Sequence, residues 1–305
     1  MSGQENEFVD WLRQVIKPSP AATLSIGDDA ALLQPLQAGT RGILVATDML
    51  LEGIHFDLSN TSAESIGRKA VAVNLSDIAA MGGTPTSVFI SLGIPQTMPM
   101  EQLQSLMLGA QDVCAEFGCG IDGGDTNSWT QGLVINVSVM GTPHPRGVVT
   151  RSGARTGDVV MVSGQTLGGS LRSGRHLTFT PRVREAQWLM DHYTIHSMMD
   201  LSDGLAADGA RMAQSSATKF IFDKDAVSLD PSALYQSFCD GEDFELLFTC
   251  DPLTASHIET HAAWPCGFRR IGRVESGAGI FLEAAGQREP LPDQWQGWTH
   301  PLAVK

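Results

Sequence analysis

Six times along this chain a carboxylate follows an apolar, strand-like run or opens a helix, with glycine or another small residue beside it. The places are Gly27-Asp28-Asp29, Thr47-Asp48, Ser76-Asp77, Gly123-Gly124-Asp125, Asp200-Leu201-Ser202-Asp203-Gly204 and Gly241-Glu242-Asp243. Strand ends in α/β folds collect at one edge, where ligands bind, so acids placed there can converge on one site. Carboxylates brought together repel and raise one another's pKa, and a fold that gathers them needs a cation to keep them ionised. Magnesium suits this role because it takes oxygen ligands and bridges one or two carboxylates to substrate phosphates. Taken singly, each place reads as a turn or an N-cap, since Asp-Gly and Gly-Asp are ordinary turn chemistry. Their combination in a chain only 18% charged favours a metal site. Thr47 and Ser202 stand next to candidate acids and offer hydroxyls. Ser76-Asp77 is the awkward member, because it lies inside a helix pattern.

The surrounding pattern is that of two α/β halves. With 305 residues, 42% of them hydrophobic, the chain can bury separate cores. A helix over Glu5 to Ile16 is expected to end at Pro18 and Pro20, followed by strand-like residues from Thr23 to Leu33 and from Gly42 to Thr47. Thr61-x-x-Glu64 suggests a capping box for a helix running from Ser62 to Met81, closed by Gly82-Gly83. Thr86 to Ile94 and Leu133 to Met140 read as strands, and Met100 to Phe117 as a helix. Pro143 and Pro145 mark a linker, giving domains at 1–142 and 143–305. Strands are expected again at 158–163, 198–201, 219–222, 244–250 and 269–274, with helices at 181–192 and 204–214.

Charge and cysteine usage exclude several classes. Lys plus Arg is 20 against 34 Asp plus Glu, a net charge of −14, and that field repels a nucleic-acid backbone. The five cysteines form neither a CxxC pair nor a zinc-like cluster, which fits buried thiols in a reducing cytoplasm. No signal peptide and no membrane span are expected.

Phosphate-binding signals are weaker. There is no G-x-x-x-x-G-K-[ST] loop, and the G-x-G-x-x-G match at Gly118–Gly123 follows a helix instead of opening one. The Gly-rich stretch from Gly164 to Ser170 offers backbone N–H groups to a phosphate, or serves only as a loop. The basic residues are few: Arg68, Lys69, Arg151, Arg155, Arg172, Arg175, Arg182 and Arg184. Arg151 is placed to fork onto a phosphate. His55 reads as a packed histidine or a ligand contact, and Trp295 and Trp298 as ring-stacking or core-capping residues.

The ordered series IGDDAALL (26–33), ATDMLLEGIHF (46–56), RKAVAVNLSDIAAMGGTP (68–85), GGDT (123–126), TRSGARTGD (150–158), DLSDGL (200–205) and GEDFELLF (241–248) resembles the thiamine-monophosphate kinases. These belong to the ATP-dependent aminoimidazole ribonucleotide synthetase superfamily. The resemblance implies a mixed α/β, two-domain fold, with homodimers formed through the N-terminal domains. It implies transfer of the ATP γ-phosphoryl group to thiamine monophosphate, with ATP as co-substrate and several Mg²⁺ ions. Carried over by matching motifs, Asp29, Thr47, Asp48, Asp77, Asp125, Asp200 and Asp203 would hold magnesium. Gly124, Asp125, Arg151 and Ser202 would meet ATP, and His55, Glu242 and Trp298 the thiamine phosphate. The acceptor is an ionised phosphate oxygen, so no general base is assigned.

Between Gly164 and Met198 the chain departs from the commoner family pattern, reading SLRSGRHLTFTPRVREAQWL, on the substrate side of the expected site. The rival readings are another ATP-using member of the superfamily and a non-catalytic nucleotide- or metal-binding module. The chain has neither a reactive N-terminal Cys nor a C-terminal Cys tail, features of two of the rival enzymes.

Overall fold

The computed structural model describes residues 22–24, 28–33, 42–228 and 230–299. The expected helix at Glu5 to Ile16 and the last residues, 300–305, lie outside the described residues.

The first half is a six-stranded sheet in the order β1-β2-β3-β6-β4-β5. Its strands are β1 (Ala22–Leu24), β2 (Ala31–Leu33), β3 (Ile43–Leu51), β4 (Thr84–Pro95), β5 (Gly120–Trp129) and β6 (Val134–Thr142). Only β4 and β5 run parallel, and helix α2 (Met100–Glu116) crosses between them. In β3 the even positions Leu44, Ala46 and Leu50 are buried against the helical layer, and the odd positions face the other way. Helix α1 (Ala63–Ala80) is capped by Ser62, whose hydroxyl accepts from Ser65 N, so the cap lies one residue after the expected Thr61. The α1 and α2 backbones almost touch. A Cβ on Gly67 would sit 1.9 Å from Leu106 O, and one on Gly109 2.0 Å from Glu64 O.

The second half is a seven-stranded sheet in the order β13-β12-β9-β11-β7-β10-β8. It contains β7 (Val159–Ser163), β8 (Ser197–Asp200), β9 (Lys219–Asp223), β10 (Leu246–Cys250), β11 (Phe268–Glu275), β12 (Gly279–Ala284) and β13 (Gln287–Pro290). Strands β7 and β10 are buried at every position, as their unbroken apolar runs require of a strand covered on both faces. One face packs on α4 (Leu205–Ser215), with Met199, Leu205, Met212 and Phe222 in its core. The other face, through Met161, Met198 and Phe248, shares a core with α1, α2 and α3 (Val183–His192). Helix α5 (Pro252–His261) adds Ala255 and Ile258 to that core.

Helix α1 is therefore the hinge of the architecture. It touches β3, β6 and α2 of its own half, and α3, β8 and the one-turn helix Arg175–Thr178 of the other. Burial on nearly all sides explains its Ala-, Val- and Ile-rich sequence.

The structure differs from the sequence reading in three respects. Both sheets are mainly antiparallel, so the acids cannot gather at a shared carboxyl edge. Gly123-Gly124-Asp125, read singly as a turn, lies inside a strand, Gly120–Trp129, held by backbone pairing to β4 despite its strand-poor Gly, Asp, Asn and Ser. β12, β13 and α5 add to the expected elements.

Candidate active site

Asp29, Asp77 and Asp200 come together, their carboxylate oxygens within 4.8 Å of one another. Each arrives by a different local device. Asp29 lies in the turn before β2, and the Arg151 guanidinium forks onto it, Nε to Oδ2 at 3.0 Å and Nη2 to Oδ1 at 2.8 Å. Arg151 N also donates to Asp28 Oδ1. Asp77 comes from α1, where four-residue steps carry Lys69, Val73 and Asp77 along one stripe. The position that looked awkward in sequence thus works because the helix face itself delivers the acid. Asp200 ends β8, and the Ser76 hydroxyl donates to it at 2.6 Å.

Asp48 extends the group from β3. Its amide donates to the Oδ1 of Asn74, a side chain buried in α1. Burial, then the charges of Asp203 and Asp29, push the Asp48 carboxyl up to about 6. Burial first, then Asp48, Asp200 and Asp29, drive Asp77 well above the ordinary carboxylate range. Asp200 moves the same way, through burial and then Asp29. The sequence reading missed Asp208 on α4, which accepts from Asp203 N at 2.9 Å and from Arg211 at 2.8 Å. Burial, reinforced by Asp203, pushes it up to about 7. An acid inside the apolar stripe of a helix was the available signal.

A donor set made of crowded oxygens, with no thiol or imidazole in the group, fits a hard divalent cation such as Mg²⁺. At an effective dielectric near 20, two unit charges 4.8 Å apart repel by about 3.5 kcal/mol, so this crowding adds to burial in disfavouring the ionised forms of Asp77 and Asp200.

Next to the acids lies a cavity of about 300 Å³ lined by Asp48, His55, Lys69, Ser202, Asp203, Glu242 and Trp298, with apolar surface from Ile54, Val73, Leu171 and Phe244. The three expected substrate contacts, His55, Glu242 and Trp298, thus share one cavity with two expected metal ligands. His55 Nδ1 accepts from Leu51 N at 3.0 Å, which leaves Nε2 to carry the proton of the neutral ring. Trp298, half-exposed, is tied in by its amide to Asp203 O. Glu242 and Phe244 both have positive φ, +63° and +50°, without being glycine. Such strain costs of order 1–3 kcal/mol and persists only where the surroundings over-determine it. Here Glu242 N donates to Ser202 O and Phe244 N to Leu201 O, and Phe244 stacks on Phe179 at 4.3 Å.

Lys69 was read only as one of a sparse set of cations, and the structure gives it a central place. It is fully buried and donates to both Glu242 oxygens, at 2.7 and 2.8 Å, and to His55 O at 2.7 Å. Burial lowers its pKa while Glu242 opposes that shift. Burial works against the ionised Glu242 carboxylate, but His176 and Lys69 outweigh it and hold its pKa below the usual value. His176 and Leu171 both come from the stretch that departs from the family pattern.

Other expected residues do not join the site. Thr47 alternates to the face of β3 opposite Asp48, where its hydroxyl donates to Val137 O at 3.0 Å and lies 3.0 Å from Ser138 Oγ. Asp125 is exposed on edge strand β5 and accepts from Asn127, and it lines neither the carboxylate group nor the cavity. Gly124 on the same strand is required by packing, since a Cβ there would lie 1.8 Å from Ile90 O. Arg151 is engaged by Asp29, and the Gly168 and Gly169 amides by Asp243 and Asp240, so that loop presents no open phosphate cradle.

Residues 27–142 match the family model for AIR synthase related protein, N-terminal domain. A thiamine-monophosphate kinase of Rhodopirellula baltica is 33% identical over 299 residues, covering 92% of each chain. The chain belongs to the thiamine-monophosphate kinase family. A relative of that name from Mycobacterium tuberculosis (strain H37Rv) is 33% identical over 98% of this chain and 93% of its own length. Among solved structures, AaThiL complexed with AMPPCP and TMP superposes with a TM-score of 0.80 at 29% identity, over 97% of this chain and 96% of that one. E. coli HypE, at 19% identity and a TM-score of 0.68, shares the fold. No helix among the described residues is long and apolar enough to cross a membrane.

Proposed function

We propose that the chain transfers the γ-phosphoryl group of ATP to the phosphate of thiamine monophosphate, giving thiamine diphosphate and ADP, in a Mg²⁺-dependent direct in-line reaction. The observation that carries this reading is the junction of the crowded acids with a half-apolar cavity lined by His55, Glu242 and Trp298. AaThiL, the structural relative, was solved with both AMPPCP and TMP.

Asp29, Asp48, Asp77, Asp200 and Asp203 would hold the metal, which supplies the positive charge that two anionic substrates need to approach a chain of net charge −14. Everything else is positioning. Trp298 and His55 line the cavity where the aromatic part of the acceptor would lie. Arg151 and Ser202 are assigned to the nucleotide side, where Arg151 would exchange part of its fork on Asp29 for phosphate. The nucleophile is already ionised at neutral pH, so no proton must be removed.

We take 1–142 and 143–305 as two domains, each built around its own sheet. We also propose that two copies pair through the N-terminal sheet, in the cytoplasm. Its outer face exposes Ile43 and Phe89, its edge strand exposes Trp129, Gly124 and Asp125, and all five cysteines are free. The test is chromatographic detection of thiamine diphosphate from purified protein, ATP, Mg²⁺ and thiamine monophosphate. Product is expected from the wild type and is lost in Asp48→Asn and Asp203→Asn that fold normally. No product at any magnesium concentration overturns the reading.

A further inference from the structure

We propose that Lys69 is a positioning residue for the acceptor cavity: one buried ammonium fixes Glu242 and the His55 loop together, and so sets the shape in which the acceptor is bound. The inference rests on the kinase reading above and goes beyond it by assigning a role to a residue with no place in the metal or nucleotide machinery.

The ammonium donates to His55 O at 2.7 Å and chelates the Glu242 carboxylate, whose two oxygens lie 2.7 and 2.8 Å away. His176 Nδ1 completes the cluster, 3.0 Å from the ammonium and 3.1 Å from Glu242 Oε2. The stem of Lys69 is fixed by α1, which is buried between the two halves, whereas Glu242 sits on the C-terminal half and His55 on the loop after β3. The contact therefore joins two walls of the cavity that belong to different halves of the chain. Glu242 has positive φ, and its amide is held by Ser202 O, so the carboxylate is pinned from both ends. Without the ammonium, the carboxylate is left part-buried with only His176, and it must take up a proton or swing toward water. Either change alters the cavity wall and leaves the acid group around Asp77 in place.

Lys69→Met separates this role from a general structural one. The readouts are calorimetric binding of thiamine monophosphate and steady-state constants for both substrates. A charge-assisted contact in the acceptor wall predicts that the acceptor Kd and KM rise at least about tenfold, with kcat and the KM for ATP little changed. Glu242→Gln, which keeps the volume and leaves Lys69 in place, is expected to raise the same constants. The double variant should be no worse than the poorer single one, because both changes break one unit. A structural role would lower the active fraction, reducing kcat at an unchanged acceptor KM. That result, an equal rise in the KM for ATP, or additive losses in the double variant would overturn the proposal. Should Lys69→Met fail to fold, Lys69→Gln, which keeps a donor and loses the charge, is read by the same acceptor Kd, and unchanged acceptor binding overturns the proposal. A wild type that binds thiamine monophosphate yet forms no product would refute the kinase reading while leaving the Lys69 test intact.

Discussion

Replacing Asp77 by Asn should make the metal-free protein more stable and remove most of the further stabilisation that magnesium gives the wild type. The carboxylate oxygens of Asp29, Asp77 and Asp200 lie within 4.8 Å of one another, and Asp77 also faces the charge of Asp48. Each fully ionised pair would cost about 3.5 kcal/mol at an effective dielectric near 20. Burial and the neighbouring charges both favour the protonated form of Asp77, which spares the folded protein part of that cost. Asn keeps the shape and removes the charge, which relieves a repulsion of at most about 3.5 kcal/mol per ionised pair and raises the Tm of the metal-free protein. With Mg²⁺ at a hundredfold excess over its dissociation constant, the wild type gains about 2.7 kcal/mol by linkage and the variant gains little. Thermal melts in chelator and in excess Mg²⁺ measure both effects. An Asp77→Asn protein that melts below the wild type in chelator, or responds equally to Mg²⁺, would refute the reasoning.

The acid group also sets a pH dependence. The folded-state pKa values of Asp48, about 6, and Asp208, about 7, exceed the unfolded value of 3.8, so the folded form takes up protons first. Metal-free protein should therefore gain stability as pH falls from about 7 toward about 4, and excess Mg²⁺ should flatten or reverse that trend, as melts across the range will show. Gly67→Ala should cost at least about 2–3 kcal/mol in chemical denaturation, because its Cβ would lie 1.9 Å from Leu106 O and push α1 and α2 apart. Phe89→Asp places a charge on the exposed face of the N-terminal sheet and should convert a dimer to monomer in light scattering, with the Tm of the monomer little altered.

The carboxylates that carry the account were visible in the sequence because they interrupt apolar runs, and Asp29, Asp48, Asp77, Asp200 and Asp203 all arrive where charge is concentrated. The reason first given for their convergence does not hold, since mainly antiparallel strands share no carboxyl edge and the face of α1 does much of the gathering. Thr47 stands apart from Asp48 because neighbours in sequence face opposite sides of a strand. Strand β5 was hidden by a composition that disfavours strands and is overcome only by pairing with β4. Lys69 was legible only in part. A lysine within the apolar helix pattern signals a buried charge, but its partner Glu242 lies 173 residues away and its other contact is a backbone carbonyl. No local pattern encodes either.

Acids from both halves of the chain are proposed to hold Mg²⁺ where ATP and the acceptor meet. Calorimetric titration of Mg²⁺ into metal-free protein carrying a non-hydrolysable ATP analogue tests this directly, in the wild type and in Asp200→Asn. Saturable binding is expected in the wild type, tightening when thiamine monophosphate is present, and its loss is expected in the variant. Undiminished Mg²⁺ binding by Asp200→Asn, with no influence of the acceptor, would contradict it.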